Sequence, residues 1–261
     1  MKKAQVTIFI IVAIVFVGII ILFFTFRDSA LNPPVSDSSP VAVYVQSCLD
    51  SVAKDGVATI SSNGGYYILP DKFSSSSYYP SVAFHLYDKT NLVPTKEKIE
   101  IEISNYIKNN IDYCFENFSS LKESGFSIEE GDKKEINTSI KEDRVLVNAK
   151  IPLSIKKGEE SNIISDFNAD IKPIYLPNIL ALINSIVDEQ IKDTSKICMS
   201  CLANKSEKSG MKIEIFDTDD KNEFVYTIRD PASNFTNYEF VFNFAAKYNF
   251  PNCNNAKECL K

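Results

Sequence analysis

Histidine is nearly missing from this sequence: His85 is the single one in 261 residues, and there is no tryptophan. One imidazole excludes every metal site built on two histidines, the zinc-protease type among them. Basic clusters are missing as well. Lys plus Arg number 28 against 34 Asp plus Glu, a formal charge of -6. Phosphate contacts need concentrated cations, so nucleic acid is not an expected partner. No glycine loop of the phosphate-cradling type occurs, and no serine sits between the glycines of a nucleophile elbow.

What is present is unevenly spread. Val6 to Phe26 is an apolar run of 21 residues without a charge. At about 1.5 Å rise per residue it would reach roughly 31 Å, the thickness of a bilayer core. A cleaved secretory signal has a shorter apolar region ending in small residues, whereas this run ends in Phe23, Phe24 and Phe26. A retained transmembrane helix is therefore expected over residues 5–27. Lys2 and Lys3 precede the run, and Arg27 beside Asp28 follows it. This bias favours a cytoplasmic N-terminus and an extracellular remainder. All six cysteines lie beyond the run, which fits an oxidising exterior. Four Asn-x-Ser/Thr sequons, at Asn117, Asn137, Asn204 and Asn234, also lie there. In a chain rich in Asn and Ser they carry little weight.

The first residues, Lys2-Lys3-Ala4-Gln5-Val6-Thr7, resemble the class III signal peptide of archaeal type IV pilin-like proteins. The resemblance implies a leader at residues 1–4 and cleavage by a prepilin peptidase between Ala4 and Gln5, with the apolar helix retained. Thr7 matches the Ser or Thr of that family's mature third position. Phe9 stands where pilins carry the Glu linked to subunit alignment, which counts against filament assembly. The stretches Tyr44-Val45-Gln46-Ser47-Cys48-Leu49, Gly64-Gly65-Tyr66, Pro152-Leu153-Ser154-Ile155 and Ile197-Cys198-Met199-Ser200-Cys201-Leu202 resemble a group of archaeal surface proteins that begin with such an anchor. That likeness implies no activity.

Residues 28–40, rich in Ser, Asp and Pro, read as an extended linker. Pro33 and Pro34 break the continuous helix that a major pilin would need. Residues 41–261 then read as one domain. Val41 to Ser62 has helical spacing and stops at Gly64-Gly65. Tyr66 to Leu69 reads as a short strand. Pro94 to Glu97 opens a second helix whose apolar positions run from Ile99 to Phe118. From Gly125 the period changes to two, giving strands at 126–128, 135–140, 145–155 and 163–174. Pro152 inside one of them marks an edge or a bulge. Helices follow at 176–191 and 198–205, then a hairpin around Asp217 to Glu223 and a last strand from Tyr238 to Phe244. The expected fold class is α+β: a single N-terminal transmembrane helix, then an extracellular domain of antiparallel sheet packed with helices.

Cys48 and Cys114 fall on the apolar faces of the first two soluble helices, and a disulfide between them is the first expectation. In Cys198-Met199-Ser200-Cys201 the first Cys opens the 198–205 helix, the position that makes a thiolate reactive in thiol oxidoreductases. A strand leading into such a motif is missing, because 176–191 reads as helix. Zinc held by Cys198, Cys201, Cys253 and Cys259 needs a tighter second spacing than five intervening residues. Structural disulfides are preferred, simplest within Cys198–Cys201 and Cys253–Cys259, although six cysteines permit 15 connectivities. His85 reads as a strand residue with a satisfied hydrogen bond. Asp217 to Glu223 lacks the central glycine of a calcium loop and reads as a solvated turn. The expectation is a membrane-tethered extracellular surface protein without catalysis or cofactor, a minor pilin-like or adhesion component. Its partners would be the membrane, a prepilin peptidase and other surface or pilus-like proteins. The alternative is an envelope thiol-disulfide oxidoreductase using Cys198 and Cys201.

Overall fold

The computed structural model describes residues 40–77, 79–235 and 239–250. The leader with Ala4 and Gln5, the apolar run of residues 6–26, and the tail with Cys253 and Cys259 lie outside the described residues. The chain forms two units, residues 1–43 and 44–261. Of the first, only Pro40 to Val43 are described, as the start of helix α1 (Pro40–Ser62).

The expected fold class needs correction. Among the described residues, no helix is long and apolar enough to cross a membrane. Helix α1 has the length, with 23 residues, but one side of it carries the exposed Ser51, Lys54 and Asp55. The sheets are not wholly antiparallel either. The described fold is α+β with one mixed sheet and one antiparallel sheet.

Within the second unit, α1 buries Val45, Cys48, Leu49, Val52, Ala53, Val57 and Ile60, an apolar stripe at helical spacing. Gly64 and Gly65, with φ of 80° and 93°, end it, and the Gly65 amide closes back on the Ile60 carbonyl at 2.7 Å. A Cβ at Gly65 would stand 2.8 Å from Pro94 Cγ, so both the backbone sign and the close approach require glycine. The chain after the cap is irregular, not a strand at Tyr66 to Leu69. The Tyr67 amide instead donates to the buried Glu102 carboxylate at 2.9 Å.

Helix α2 (Lys96–Phe115) starts at Thr95, whose hydroxyl accepts from the Lys98 amide at 3.2 Å. It buries Ile99, Ile103, Ile107, Ile111 and Phe115. The helix was expected to reach Phe118, but Glu116, Asn117 and Phe118 all take positive φ and turn the chain sharply. Phe118 still reaches the core by folding back onto Phe115, with ring centroids 5.0 Å apart. A short helix α3 (Ser119–Glu123) leads to the four-stranded sheet.

That sheet holds β4 (Ser127–Glu130), β5 (Glu135–Ile140), β6 (Val145–Lys157) and β7 (Glu160–Ile171). Strand β6 is central. Its first half pairs with β5, its second half with β4, and its other edge with β7 throughout. Pro152 falls between the β5 and β4 segments, and on the β7 side the register shifts between Lys150 and Leu153. A missing amide costs nothing at a bulge, so a proline is tolerated in a central strand. Helix α2 packs on β5, where Glu100 accepts from the Ile140 amide at 2.7 Å.

The six-stranded sheet joins distant parts of the chain. Its main path runs β1 (Phe73–Ser74), β2 (Val82–Tyr87), β10 (Val241–Lys247), β9 (Glu223–Arg229), β8 (Lys212–Asp217), with β3 (Thr90–Asn91) beside β2. Strands β2 and β10 are parallel and the other pairs antiparallel. All of Val82 to Leu86 is buried, the pattern of a strand covered on both faces. Helices α4 (Leu176–Ile191) and α5 (Met199–Ser209) pack on each other. Helix α4 also reaches β2 and β3, and α5 reaches β8.

Candidate functional site

Two disulfides link the four described cysteines. Cys48 on α1 bonds Cys114 in the last turn of α2, with Cα atoms 5.7 Å apart. Cys48 is buried and Cys114 half-buried. Tyr44, one turn before Cys48, donates its hydroxyl to the Cys114 carbonyl at 2.9 Å and so satisfies one carbonyl at the end of α2. The bond spans a sequence separation of 66, worth about 4 kcal/mol in the chain-entropy treatment.

Cys198 bonds Cys201, with Cα atoms 5.3 Å apart. Both are half-buried. Cys198 stands immediately before α5, and its carbonyl accepts the Leu202 amide at 3.1 Å. Ile197 and Leu202 anchor the motif in the core, while Met199 and Ser200 face solvent. The segment leading in is also fixed. Asp193 accepts the Ser195 amide at 3.0 Å, and hydrogen bonds from the Ser195 hydroxyl and amide, with Lys196 alongside, hold its carboxyl at about 2. The Asn249 amide donates to the Thr194 carbonyl at 2.9 Å, tying this segment to the end of β10.

Helical spacing puts Gln190 on the inward stripe of α4, but its contact with the Cys198 motif is not legible in the sequence. Gln190, in the last turn of α4, is 2% exposed. Its Oε1 accepts the Cys198 amide at 3.2 Å, and its Nε2 has no hydrogen-bond partner among the described residues. The signal was a lone amide side chain on an otherwise apolar stripe of α4, following Ile179, Leu182, Ile183, Ile186 and Val187.

His85 is wholly buried on β2. Its Nε2–H donates to the Gly64 carbonyl at 2.8 Å, and Nδ1 has no partner among the described residues. The ring stacks on Phe244 at 5.0 Å, and Phe244 stacks on Tyr226 at 4.8 Å, across three adjacent strands. Burial pushes the imidazole down to about 4, against the hydrogen bond to Gly64, so it is neutral at pH 7. Among the described residues, no nucleophilic side chain is hydrogen-bonded to it. Tyr226 and Tyr248 share a hydrogen bond in the same region, and burial raises both phenols.

The Asp217 to Glu223 turn directs its carboxylates at protein groups. Asp219 accepts the Ser77 amide at 2.7 Å, Asp220 the Asn222 amide at 2.9 Å, and Lys247 reaches Asp220 and Glu223 at 3.4 and 2.9 Å. Among the described residues, no cluster of three or more His, Cys, Asp or Glu is placed to hold a metal. The sequon residues Asn117, Asn137, Asn204 and Asn234 are all exposed.

No protein-family model, curated protein or solved structure matches this chain. The pilin-like resemblance of the first residues therefore stands on the sequence motif alone.

Proposed function

We propose that this is an exported, non-catalytic protein of the cell surface, held at the membrane through its N-terminal apolar run and serving as a minor pilus-like or adhesion component. The observation that supports this most is the Cys48–Cys114 bond between two core helices. Such a bond persists in an oxidising compartment and is rare in a reducing cytosol. The cysteine-free apolar run, the basic pair before it and the acidic remainder fit the same orientation. A prepilin peptidase and neighbouring surface proteins are the partners in this reading. The mature N-terminus tests the processing part. Terminal sequencing of the native protein is expected to begin at Gln5; an intact Met1 would remove the prepilin-like route.

Catalysis is not part of the proposal. The chain entering the Cys198 motif comes from helix α4 through residues 192–197, without a strand leading into it. Helix α4 occupies the place in sequence where a thioredoxin-like unit needs that strand.

A further inference from the structure

Helix α2 seals the outer edge of β5 along only part of its length. Strand β5 pairs with β6 on one side and meets α2 on the other. Along a strand, every second residue turns its amide to the same edge. The Ile140 amide donates to the Glu100 carboxylate at 2.7 Å, and the Thr138 amide to the Ser104 hydroxyl at 3.0 Å. Four residues of helix rise about 6.0 Å and two residues of antiparallel strand about 6.8 Å, so the two elements stay in step. The next pair in the series is Ile136 and Lys108. Ile136 turns its amide outward as Thr138 and Ile140 do, and Lys108 stands one helical turn beyond Ser104. An ammonium group has donors and no acceptor, so the third amide meets a cation where its neighbours meet an oxygen. Among the described residues, nothing accepts the Ile136 amide and no carboxylate pairs with Lys108.

Both donors line one groove between α2 and β5, with a volume of about 300 Å³. Asn105, Lys134, Glu135 and Asn137 line it as well. Lys134 is paired with Asp112 and with Glu130, neither of which lines the groove. Lys108 is exposed and unpaired, and Asn105 and Asn137 are exposed beside it. We propose that this groove binds a small molecule bearing a carboxylate. One carboxylate oxygen accepts from the Ile136 amide and the other from the Lys108 ammonium, a charge-assisted contact.

The protein itself shows the chemistry at the other end of the same edge, where the Glu100 carboxylate accepts an outward β5 amide. A bound carboxylate repeats that contact two steps along the strand, with Lys108 balancing its charge. Glu135 on the lining places a negative charge close by, which favours a single carboxylate over a dianion such as phosphate. The amide groups of Asn105 and Asn137 offer donors and acceptors to hydroxyl groups on the same molecule, as a sugar acid carries. Binding at this groove goes beyond the surface-protein reading and does not depend on it.

The test uses the full-length chain in detergent with nitrogen-15 isoleucine, the Ile136 amide signal being identified by its loss in Ile136→Val. Glucuronate is titrated at pH 7 against sodium chloride of equal ionic strength. The expected result is a saturable downfield shift of the Ile136 amide that chloride does not produce. Lys108→Gln should weaken binding about tenfold, the loss of one charge-assisted contact. Lys108→Glu should move the same amide downfield without ligand and abolish the response to glucuronate, because its own carboxylate then stands as Glu100 does at Ile140. Inorganic phosphate should bind more weakly than glucuronate. A response no larger than that of chloride would overturn the proposal, as would undiminished binding by Lys108→Gln, an unmoved amide in Lys108→Glu, or tighter binding of phosphate. None of these results bears on where the protein resides, which the N-terminal sequencing and surface labelling decide separately.

Discussion

At the scale of single residues, buried polar groups make the sharpest claims. His85 is neutral in the fold at about 4 and would titrate near 6.5 in the unfolded chain. The unfolded state therefore binds the proton first. The stability held by neutral His85 is complete above pH 6.5 and is lost as pH falls toward 4, up to about 3 kcal/mol. Urea titrations between pH 7 and 4 should show this slope, and His85→Gln should flatten it. A slope unchanged in the variant would assign the acid sensitivity elsewhere. Tyr248→Phe leaves the Tyr226 hydroxyl buried and without its partner. The expected cost in denaturant unfolding is about 1–3 kcal/mol. His85 was legible as a strand residue, but its stacking on Phe244 was not, because the two are 159 positions apart in sequence and meet only through the β2–β10 pairing.

At the scale of elements, local signals carried far. Helix α4 and strand β5 begin and end where periodicity placed them, since each has an unbroken pattern with clear breakers. The end of α2 was misread because Phe118 sits at the next helical position, although it reaches the core through a left-handed turn. Tyr66 to Leu69 has strand-like residues, but its amide is taken by Glu102 of α2 instead of a neighbouring strand. Helix α1 depends on its cap. Gly65→Ala should cost about 1–3 kcal/mol, read as a lowered denaturation midpoint, because it meets both a positive φ and the Pro94 ring. A near-neutral Gly65→Ala would mean that the cap relaxes at little cost. Replacing both Cys48 and Cys114 with serine should cost about 4 kcal/mol, against about 2 kcal/mol for the same change at Cys198 and Cys201. Equal losses would show that loop length does not separate the two bonds.

At the scale of the whole molecule, composition and patterning foreshadowed an α+β arrangement with hairpins. They did not foreshadow its topology. The parallel β2–β10 pair is made by strands from opposite ends of the domain, and neither carries a local mark of its partner. The Gln190–Cys198 contact was hidden for a related reason: it connects the end of one helix to the start of the next through a loop whose path only the fold sets. The proposed function requires the disulfide-bearing domain to stand outside the cell. Intact cells treated with a membrane-impermeant amine-reactive biotin reagent, followed by peptide mapping, test it most directly. Lys172, Lys192 and Lys196 are exposed and should be labelled before lysis. Labelling of these lysines only after the cells are broken would contradict the account.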